Sequence, residues 1–303
     1  MFLRPNYIEL LENGHLYKKV KEAQKHITHC NLCPHECGVN RTNELGICQG
    51  SHKAIVSSYG PHLGEESVLV GRGGSGTIFF GYCNMSCVFC QNYELSAYGK
   101  GDTVSNETLG NMMLSLQNDY GCHNINLVTP THYVPNILEA IYLAAQKGLK
   151  LPIVYNCGGY ESVDTLQILE GVIDIYMPDF KYNSAESGKR YSKVSDYPKR
   201  AKKALIEMDK QVGGLKTDHR DIAYKGLLIR HLMLPGELED TKKVLEFIKE
   251  KLSPDVLVNL MDQYYPSYKA FEYKQIARRL DFTEYKQAYS YGEKLGLRLV
   301  SRN

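Results

Sequence analysis

Short apolar runs alternate with amphipathic segments along most of the chain. The runs hold three to six residues, rich in β-branched side chains, and cover residues 77–80, 125–128, 153–155, 173–177, 227–232 and 256–260. Runs of this length and content are typical of strands that are buried on both faces of a sheet. Between them, apolar residues recur every three or four positions, as on one face of a helix, in residues 109–116, 201–212 and 244–252.

The repeated order of strand and helix predicts a parallel sheet. It is compatible with an open doubly wound sheet and with a complete or partial barrel. In each of these arrangements, ligands bind at the carboxyl ends of the strands. The residues that directly follow each apolar run are therefore the first candidates for a functional site.

The N-terminal part of the chain has a different pattern. Apolar residues recur at helical spacing within residues 1–27, and residues 28–52 are then dominated by Cys, His, Asn, Pro and Gly. We expect an N-terminal helix and a Cys-rich metal-binding segment over residues 1–70. The α/β domain, with a C-terminal extension, is expected over residues 71–303.

Composition and charge narrow the class of protein. Hydrophobic residues make up 43% and charged residues 23% of the 303 positions, which excludes a disordered, collagen-like or coiled-coil chain. The net charge of +2 does not favour a nucleic-acid partner. The first twenty residues lack the apolar core of a signal peptide, and no apolar run approaches the roughly 18 residues that span a bilayer. We therefore expect a cytoplasmic protein without a membrane partner.

The cysteines are unusual in number and in position. There are nine, so they cannot all be paired in disulfides, and seven of them lie between Cys30 and Cys90. In a cytoplasmic protein, clustered thiols favour metal binding over disulfide bonds.

Three cysteines follow the first predicted strand with the spacing Cys83-x3-Cys87-x2-Cys90. Three thiolates from one tight loop can bind three irons of a [4Fe-4S] cluster and leave the fourth iron without a protein ligand. Such an open position indicates reactivity, as it does at zinc sites. The alternatives are three buried structural cysteines or part of a zinc site.

This loop, with Phe89 before its last cysteine, resembles the signature of the radical S-adenosylmethionine (SAM) superfamily. Over residues 76–265 the chain is most similar to proteins related to pyruvate formate-lyase activating enzyme. The resemblance implies an α/β fold, a partial (β/α)6 TIM-type barrel with the Cys-rich segment as an N-terminal cap. It also implies a [4Fe-4S] cluster whose unique iron is chelated by the amino and carboxylate groups of SAM. An electron from the cluster then cleaves SAM to methionine and a 5′-deoxyadenosyl radical, which abstracts hydrogen. An electron donor such as flavodoxin or ferredoxin is the implied partner.

The same resemblance suggests residues that contact SAM. Segments after later strands are similar to activase segments that hold SAM or a neighbouring cation, and Gln263 falls near the adenine-contacting histidine of the activase. Asn156 and Cys157 stand where the activase has the Asp and Thr of its cation site, so the carboxylate of that site is missing here. The Gly-Gly-Glu motif that usually follows the second strand is replaced here, and Gly158-Gly159 follow the third strand instead. The predicted cofactor-binding residues are Phe89, Thr129, Asn156, Cys157, Met177, Asp179, Lys181, Arg230 and Gln263.

A second constellation, Cys30-x2-Cys33-x3-Cys37-x10-Cys48, lies in the N-terminal segment. Four thiolates can bind a second iron–sulfur cluster or a tetrahedral zinc ion, and free thiols or disulfides are the remaining alternative. The segment resembles the N-terminal cysteine region of an uncharacterised branch of activase-like radical SAM proteins, which does not identify the metal.

The leading functional hypothesis is an activase that installs a glycyl radical on a partner enzyme. The alternative is a radical SAM enzyme that modifies another peptide, a nucleic acid or a small metabolite. A third hypothesis is a non-catalytic metal-binding adaptor.

Overall fold

The computed structural model describes residues 4–301 of the chain. Its strands are β1 (Ala54–His62), β2 (Ser75–Phe80), β3 (Asp102–Val104), β4 (Ile125–Val128), β5 (Ile153–Cys157), β6 (Ile175–Pro178), β7 (Lys216–Thr217), β8 (Ala223–Leu232), β9 (Leu257–Met261) and β10 (Arg298–Leu299). Its helices are α1 (Asn6–Glu12), α2 (His15–Gln24), α3 (Ser67–Val70), α4 (Tyr93–Ser96), α5 (Asn106–Asn118), α6 (Val134–Gln146), α7 (Val163–Leu169), α8 (Ala185–Ser192), α9 (Tyr197–Val212), α10 (Leu238–Lys251) and α11 (Phe282–Lys294). Short 3-10 helices span Lys25–Ile27, Thr131–Tyr133 and Ala270–Glu272.

The strands form one open, mostly parallel sheet in the order β10-β9-β8-β6-β5-β4-β2-β1-β3. The seven strands β2, β4, β5, β6, β8, β9 and β10 are parallel to one another where they pair. Strand β1 pairs antiparallel with β2, β3 pairs antiparallel with β1, and β7 pairs antiparallel with β8. The six predicted strands correspond to β2, β4, β5, β6, β8 and β9, and the α/β fold with an unclosed barrel-like sheet is confirmed.

The two faces of the parallel strands bury different apolar layers. Tyr155, Tyr176 and Val258 belong to the large core that also contains the buried faces of the helices. Their neighbours on the opposite face, among them Val154 and Leu228, form a second apolar cluster. Because side chains alternate along a strand, polar residues two positions further on continue this second face. They are Asn156, Arg230 and Asn259, and they lie at the carboxyl ends of β5, β8 and β9.

The N-terminal segment departs from the prediction in two ways. Gly14 divides the predicted helical region within residues 1–27 into two helices. It has a φ of +75° and directly precedes α2. Residues 1–3 of that region lie outside the described residues. Strand β1, which the sequence pattern does not predict, joins the N-terminal segment to the sheet through β2. The division into residues 1–70 and 71–303 stays a prediction, and residues 302–303 also lie outside the described part. None of the helices within residues 4–301 has the length and apolar character that a bilayer span requires.

Candidate active site

A cavity of about 270 Å³ lies where the parallel strands end. It receives side chains from the loops after β2, β4, β5 and β6 and from β8 and β9, so it occupies the edge at which ligands bind in such sheets. Eleven of the twelve residues predicted for the cluster loop and for SAM line it: Cys83, Cys87, Phe89, Cys90, Thr129, Asn156, Cys157, Asp179, Lys181, Arg230 and Gln263.

The cysteine loop begins directly after β2. Tyr82 adopts a left-handed backbone conformation, with φ of +67°, and turns the chain so that Cys83 enters the cavity. The Met85 N–H donates to Cys83 Sγ at 3.4 Å. Hydroxyl groups contact the other two sulfurs, Ser192 Oγ at 3.0 Å from Cys87 Sγ and Ser96 Oγ at 3.1 Å from Cys90 Sγ. Each sulfur therefore has a neighbouring N–H or O–H group that can donate to a thiolate.

A charge network forms the opposite wall of the cavity. The Asp179 carboxylate accepts from Lys181 Nζ at 2.5 Å and from Arg230 Nε at 3.0 Å. Arg230 also donates to Asn156 Oδ1 at 2.6 Å, and its Nη1 lies 3.5 Å from Glu65 Oε1. The network thus joins β5, β6, β8 and the loop before α3 around one guanidinium group.

Proximity of opposite charges determines how these groups ionise. Burial raises the pKa of the Asp179 carboxyl, but the charges and hydrogen bonds of Lys181 and Arg230 outweigh burial, and the net pKa lies below its usual range. Burial lowers the pKa of the Lys181 amine, yet the attraction of Asp179 raises it overall. The same balance raises the pKa of Arg230. All three side chains are therefore charged at neutral pH.

The remaining predicted residues occupy distinct positions. Thr129 has a φ of +61° and its N–H donates to the Asn156 carbonyl oxygen at 2.9 Å, so the loop after β4 is bent toward β5. The side chain of Met177 is fully buried in the second apolar cluster with Val154 and Leu228, and it does not line the cavity. Its role in cofactor binding stays a prediction, without contact with the cavity to support it.

Comparison with known proteins identifies the family. The Radical SAM superfamily model matches residues 77–248, which include the cysteine loop and most of the charge network. This chain belongs to the radical SAM superfamily. An uncharacterized protein of Methanocaldococcus jannaschii is 34% identical over 308 residues, which cover 99% of this chain and 82% of that protein.

A solved structure shares the fold of this radical SAM protein. A radical SAM methyltransferase from Sphaerobacter thermophilus superimposes with a TM-score of 0.52 at 10% identity, over 75% of this chain and 65% of that one. SuiB of Streptococcus suis, bound to its precursor peptide SuiA, aligns with a TM-score of 0.47 at 15% identity, over 73% of this chain and 47% of that one. This chain thus spans less than two thirds of each of these proteins, and the first similarity shows the fold alone.

Membership of the superfamily implies a [4Fe-4S] cluster and SAM, and the donor set of the cavity fits both. Three thiols with hydrogen-bond donors face a charged wall that can hold a carboxylate and an amine. Within residues 4–301, no three Cys, His, Asp or Glu side chains are placed as ligands of one metal ion. In a [4Fe-4S] cluster each thiolate binds a different iron, so its cysteines do not surround a single ion.

A second cavity of about 360 Å³ adjoins the first and shares Asn156, Arg230 and Gln263 with it. Its additional walls come from the segment between β1 and α3 and from β9. Glu65 accepts from Asn126 Nδ2 at 2.9 Å, and Glu66 accepts from Asn259 Nδ2 at 2.8 Å. Burial raises the pKa of Glu66. The cysteines of the loop line the first cavity and not the second.

The sequence alone does not identify several residues of the site. Glu65 and Glu66 precede a glycine-rich run and carry no motif, and Ser96 and Ser192 are single hydroxyls in helices. Gly158, which the sequence does not assign to SAM binding, also lines the cavity. A signal was present only for Gly158, because it lies three residues after the predicted strand 153–155.

The neighbour of this glycine has a structural role. Gly159 has a φ of +78°, and a β-carbon there would lie 2.2 Å from the Asp179 carbonyl oxygen. The loop after β5 can approach β6 only because this residue has no side chain. Glu161 lies behind the cavity, where its carboxylate accepts from Thr131 Oγ1 at 2.8 Å and from the Tyr155 hydroxyl at 3.1 Å.

Proposed function

We propose that this protein is an enzyme that cleaves SAM reductively, with Cys83, Cys87 and Cys90 as the ligands of its [4Fe-4S] cluster. The observation that carries the proposal is the single cavity that brings these thiols opposite Asp179 and Lys181. When bound, the cluster and SAM supply a 5′-deoxyadenosyl radical that can take a hydrogen atom from a substrate.

The side chains of the cavity have separate tasks in this proposal. Lys181 and Arg230 offer cationic donors to the SAM carboxylate, and Asp179 holds both in place while offering an acceptor to the amino group. Phe89 and Gln263 also line the cavity and are the residues proposed to contact the adenine. Apolar side chains of β2, β8 and β9, namely Phe79, Phe80, Leu232 and Met261, also line the cavity and exclude water.

For the substrate, we propose a glycyl radical enzyme, so that this protein acts as an activase. The support is the resemblance of the segments at Asp179–Lys181 and Arg230 to the activase, together with their position at the cavity. A flavodoxin or ferredoxin is then the proposed electron donor, and the cytoplasm the proposed location.

A second candidate is the modification of another peptide, a nucleic acid or a small metabolite. The adjoining cavity favours it, because its polar walls offer a binding site for a substrate other than a backbone glycine. Asn156 and Cys157, which replace the cation-binding pair of the activase, point in the same direction. Superfamily membership favours both enzymatic candidates over a metal-binding adaptor.

The first experiment measures 5′-deoxyadenosine and methionine after anaerobic reconstitution with iron and sulfide, with dithionite and SAM present. We expect both products from the wild type and none from a Cys83→Ala/Cys87→Ala/Cys90→Ala variant. Cys122→Ala is the matched control, because Cys122 is buried outside this cavity, and it should retain activity. Activity in the triple variant, or none in a wild type loaded with iron, would overturn the assignment.

A second experiment separates the two substrate classes. Incubation with a glycyl radical enzyme should give the doublet of a glycyl radical in electron paramagnetic resonance if the protein is an activase. If deuterium is transferred to 5′-deoxyadenosine only from a labelled small molecule, peptide or nucleic acid, the second candidate is correct.

A further inference from the structure

Arg41 is a buried cation in the N-terminal segment without an acidic partner. Its side chain is 2% exposed, and it donates to the backbone carbonyl oxygens of Gly50 at 3.3 Å, Ser51 at 2.6 Å and His132. No carboxylate within residues 4–301 forms an ion pair with it. The Tyr133 ring lies 5.8 Å from the guanidinium carbon, and it adds a cation–π contact to these hydrogen bonds. Because a charge taken out of water is costly, an anion beside Arg41 would stabilise it further.

Thiols are the groups that lie beside this guanidinium. A β-carbon placed on Gly50 would lie 2.6 Å from Arg41 Nη2 and 3.3 Å from Cys48 Sγ, so the cation and this sulfur flank the same point. A β-carbon placed on Gly46 would lie 3.4 Å from Cys48 Sγ and 3.6 Å from Cys37 Sγ. The close approach of the chain at Gly46 and Gly50 therefore brings two sulfurs and the guanidinium together.

Cys48 accepts a backbone hydrogen bond with the geometry seen in the cysteine loop. Gly50 N–H donates to Cys48 Sγ at 3.4 Å, as Met85 N–H donates to Cys83 Sγ at 3.4 Å. In both cases the donor lies two residues after the cysteine. A backbone donor aimed at sulfur favours the anionic form, so Cys48 is placed to bind as a thiolate.

We propose that Cys30, Cys33, Cys37 and Cys48 bind a metal centre as four thiolates, with Arg41 as its buried counter-cation. Zn²⁺ and a [4Fe-4S]²⁺ cluster present the same chemistry to the protein, because four thiolates around either leave a net negative charge for Arg41 to balance. Each coordinated thiol releases its proton to solvent on binding. Zinc needs the sulfurs around one ion, an arrangement that no three Cys, His, Asp or Glu side chains of residues 4–301 adopt, whereas a cluster binds each sulfur at a separate iron.

This centre contacts the cysteine loop of the active site. His35 Nε2 lies 2.8 Å from the carbonyl oxygen of Asn84, the residue after Cys83. On the other side, Arg41 donates to the His132 carbonyl oxygen, and His132 Nε2 lies 2.9 Å from the Gly81 carbonyl oxygen. Both chains of hydrogen bonds end within two residues of Cys83. An ordered N-terminal centre therefore stabilises the position of the cysteine loop.

The test uses the full chain with Cys83→Ala, Cys87→Ala and Cys90→Ala, so that the N-terminal cysteines alone can bind metal, and it does not depend on the proposed reaction. The protein is loaded anaerobically with Zn²⁺ in one arm and with Fe²⁺ and sulfide in the other, desalted, and analysed for metal. We expect about one zinc or about four irons per chain, and the arm that retains metal identifies the centre. Addition of Cys30→Ala and Cys33→Ala should reduce retained metal to background. Retention of no metal in either arm, or equal retention without Cys30 and Cys33, would overturn the proposal.

Arg41→Met and Arg41→Lys then test the counter-cation. Release of metal to a chelator should become at least about tenfold faster in Arg41→Met, because the charge is removed, and should stay nearer the wild-type rate in Arg41→Lys, which keeps it. Circular dichroism checks that both variants are folded. Equal release rates for wild type and a folded Arg41→Met protein would show that Arg41 does not balance the centre.

Discussion

Replacement of Asp179 by asparagine removes the carboxylate that contacts both Lys181 and Arg230. The three side chains are each 18% exposed, and the contact distances are 2.5 Å and 3.0 Å. An amide keeps the size of the side chain but not its charge. Two cations, Lys181 and Arg230, then remain in a largely buried site. The nearest negative charge is the Glu65 carboxylate, 3.5 Å from Arg230.

The size of the effect follows from this burial. Removal of one partner from a buried ion pair destabilises a protein by about 3–5 kcal/mol, and the residual exposure here favours the lower end. About 3 kcal/mol corresponds to a decrease in Tm of roughly 6 °C for a domain of this size. Folding lowers the pKa of Asp179. The contribution of this carboxylate to the free energy of unfolding is therefore complete above its unfolded pKa of about 4, and it is lost as the pH falls below that value. The difference between variant and wild type should therefore be full at pH 7.

Anaerobic thermal unfolding of the reconstituted protein measures this difference. Glu239→Gln is the matched control, because Glu239 pairs with Lys242 at 2.7 Å but its side chain is 76% exposed. An exposed pair contributes about 0–1 kcal/mol, so the control should melt within about 2 °C of the wild type. If Asp179→Asn melts as the control does, the three charges do not form a buried network in solution, and the reasoning on the cavity wall is wrong.

Two other substitutions have defined outcomes. Gly159→Ala should lower Tm by several degrees and weaken SAM binding, because the added β-carbon would lie 2.2 Å from a backbone carbonyl oxygen. Gly14→Ala is the control, because Gly14 has a φ of +75° but open space around it. That substitution should lower the free energy of unfolding by only about 1 kcal/mol. Burial raises the pKa of Asp174 to about 7, so the unfolded chain releases this proton first and stability falls as the pH rises from about 4 to about 7. The Tm of Asp174→Asn relative to wild type should therefore increase between pH 5 and pH 8, and a constant difference would contradict the raised pKa.

The strands that position the site were predictable because they are buried on both faces. Residues of β5 are buried throughout, and the first three of them, residues 153–155, form an uninterrupted apolar run. Strand β1 gave no such signal, because it is half exposed and contains Gly60 and Pro61. This segment becomes a strand because it pairs with β2 and β3. Such pairing cannot be read from the local pattern of apolar residues.

The site was predictable where its residues directly follow a parallel strand. Lys181, Asn156 and the cysteines meet because all these strands end at one edge of the sheet. Glu65 lies 165 residues before Arg230 in the chain and has no motif, so only the fold shows their contact. Met177 lies two residues before Asp179, on the same face of the sheet. It is further from the carboxyl end of the strand, so it is buried in the second apolar cluster and does not line the cavity.

Electron paramagnetic resonance of the reduced protein, with and without SAM, tests the central claim most directly. The account predicts the signal of a reduced [4Fe-4S] cluster in the wild type, a change in that signal when SAM is added, and loss of the SAM-sensitive signal in Cys83→Ala/Cys87→Ala/Cys90→Ala. A cluster signal in the wild type that SAM leaves unchanged, or a SAM-sensitive signal that persists in the triple variant, would contradict it.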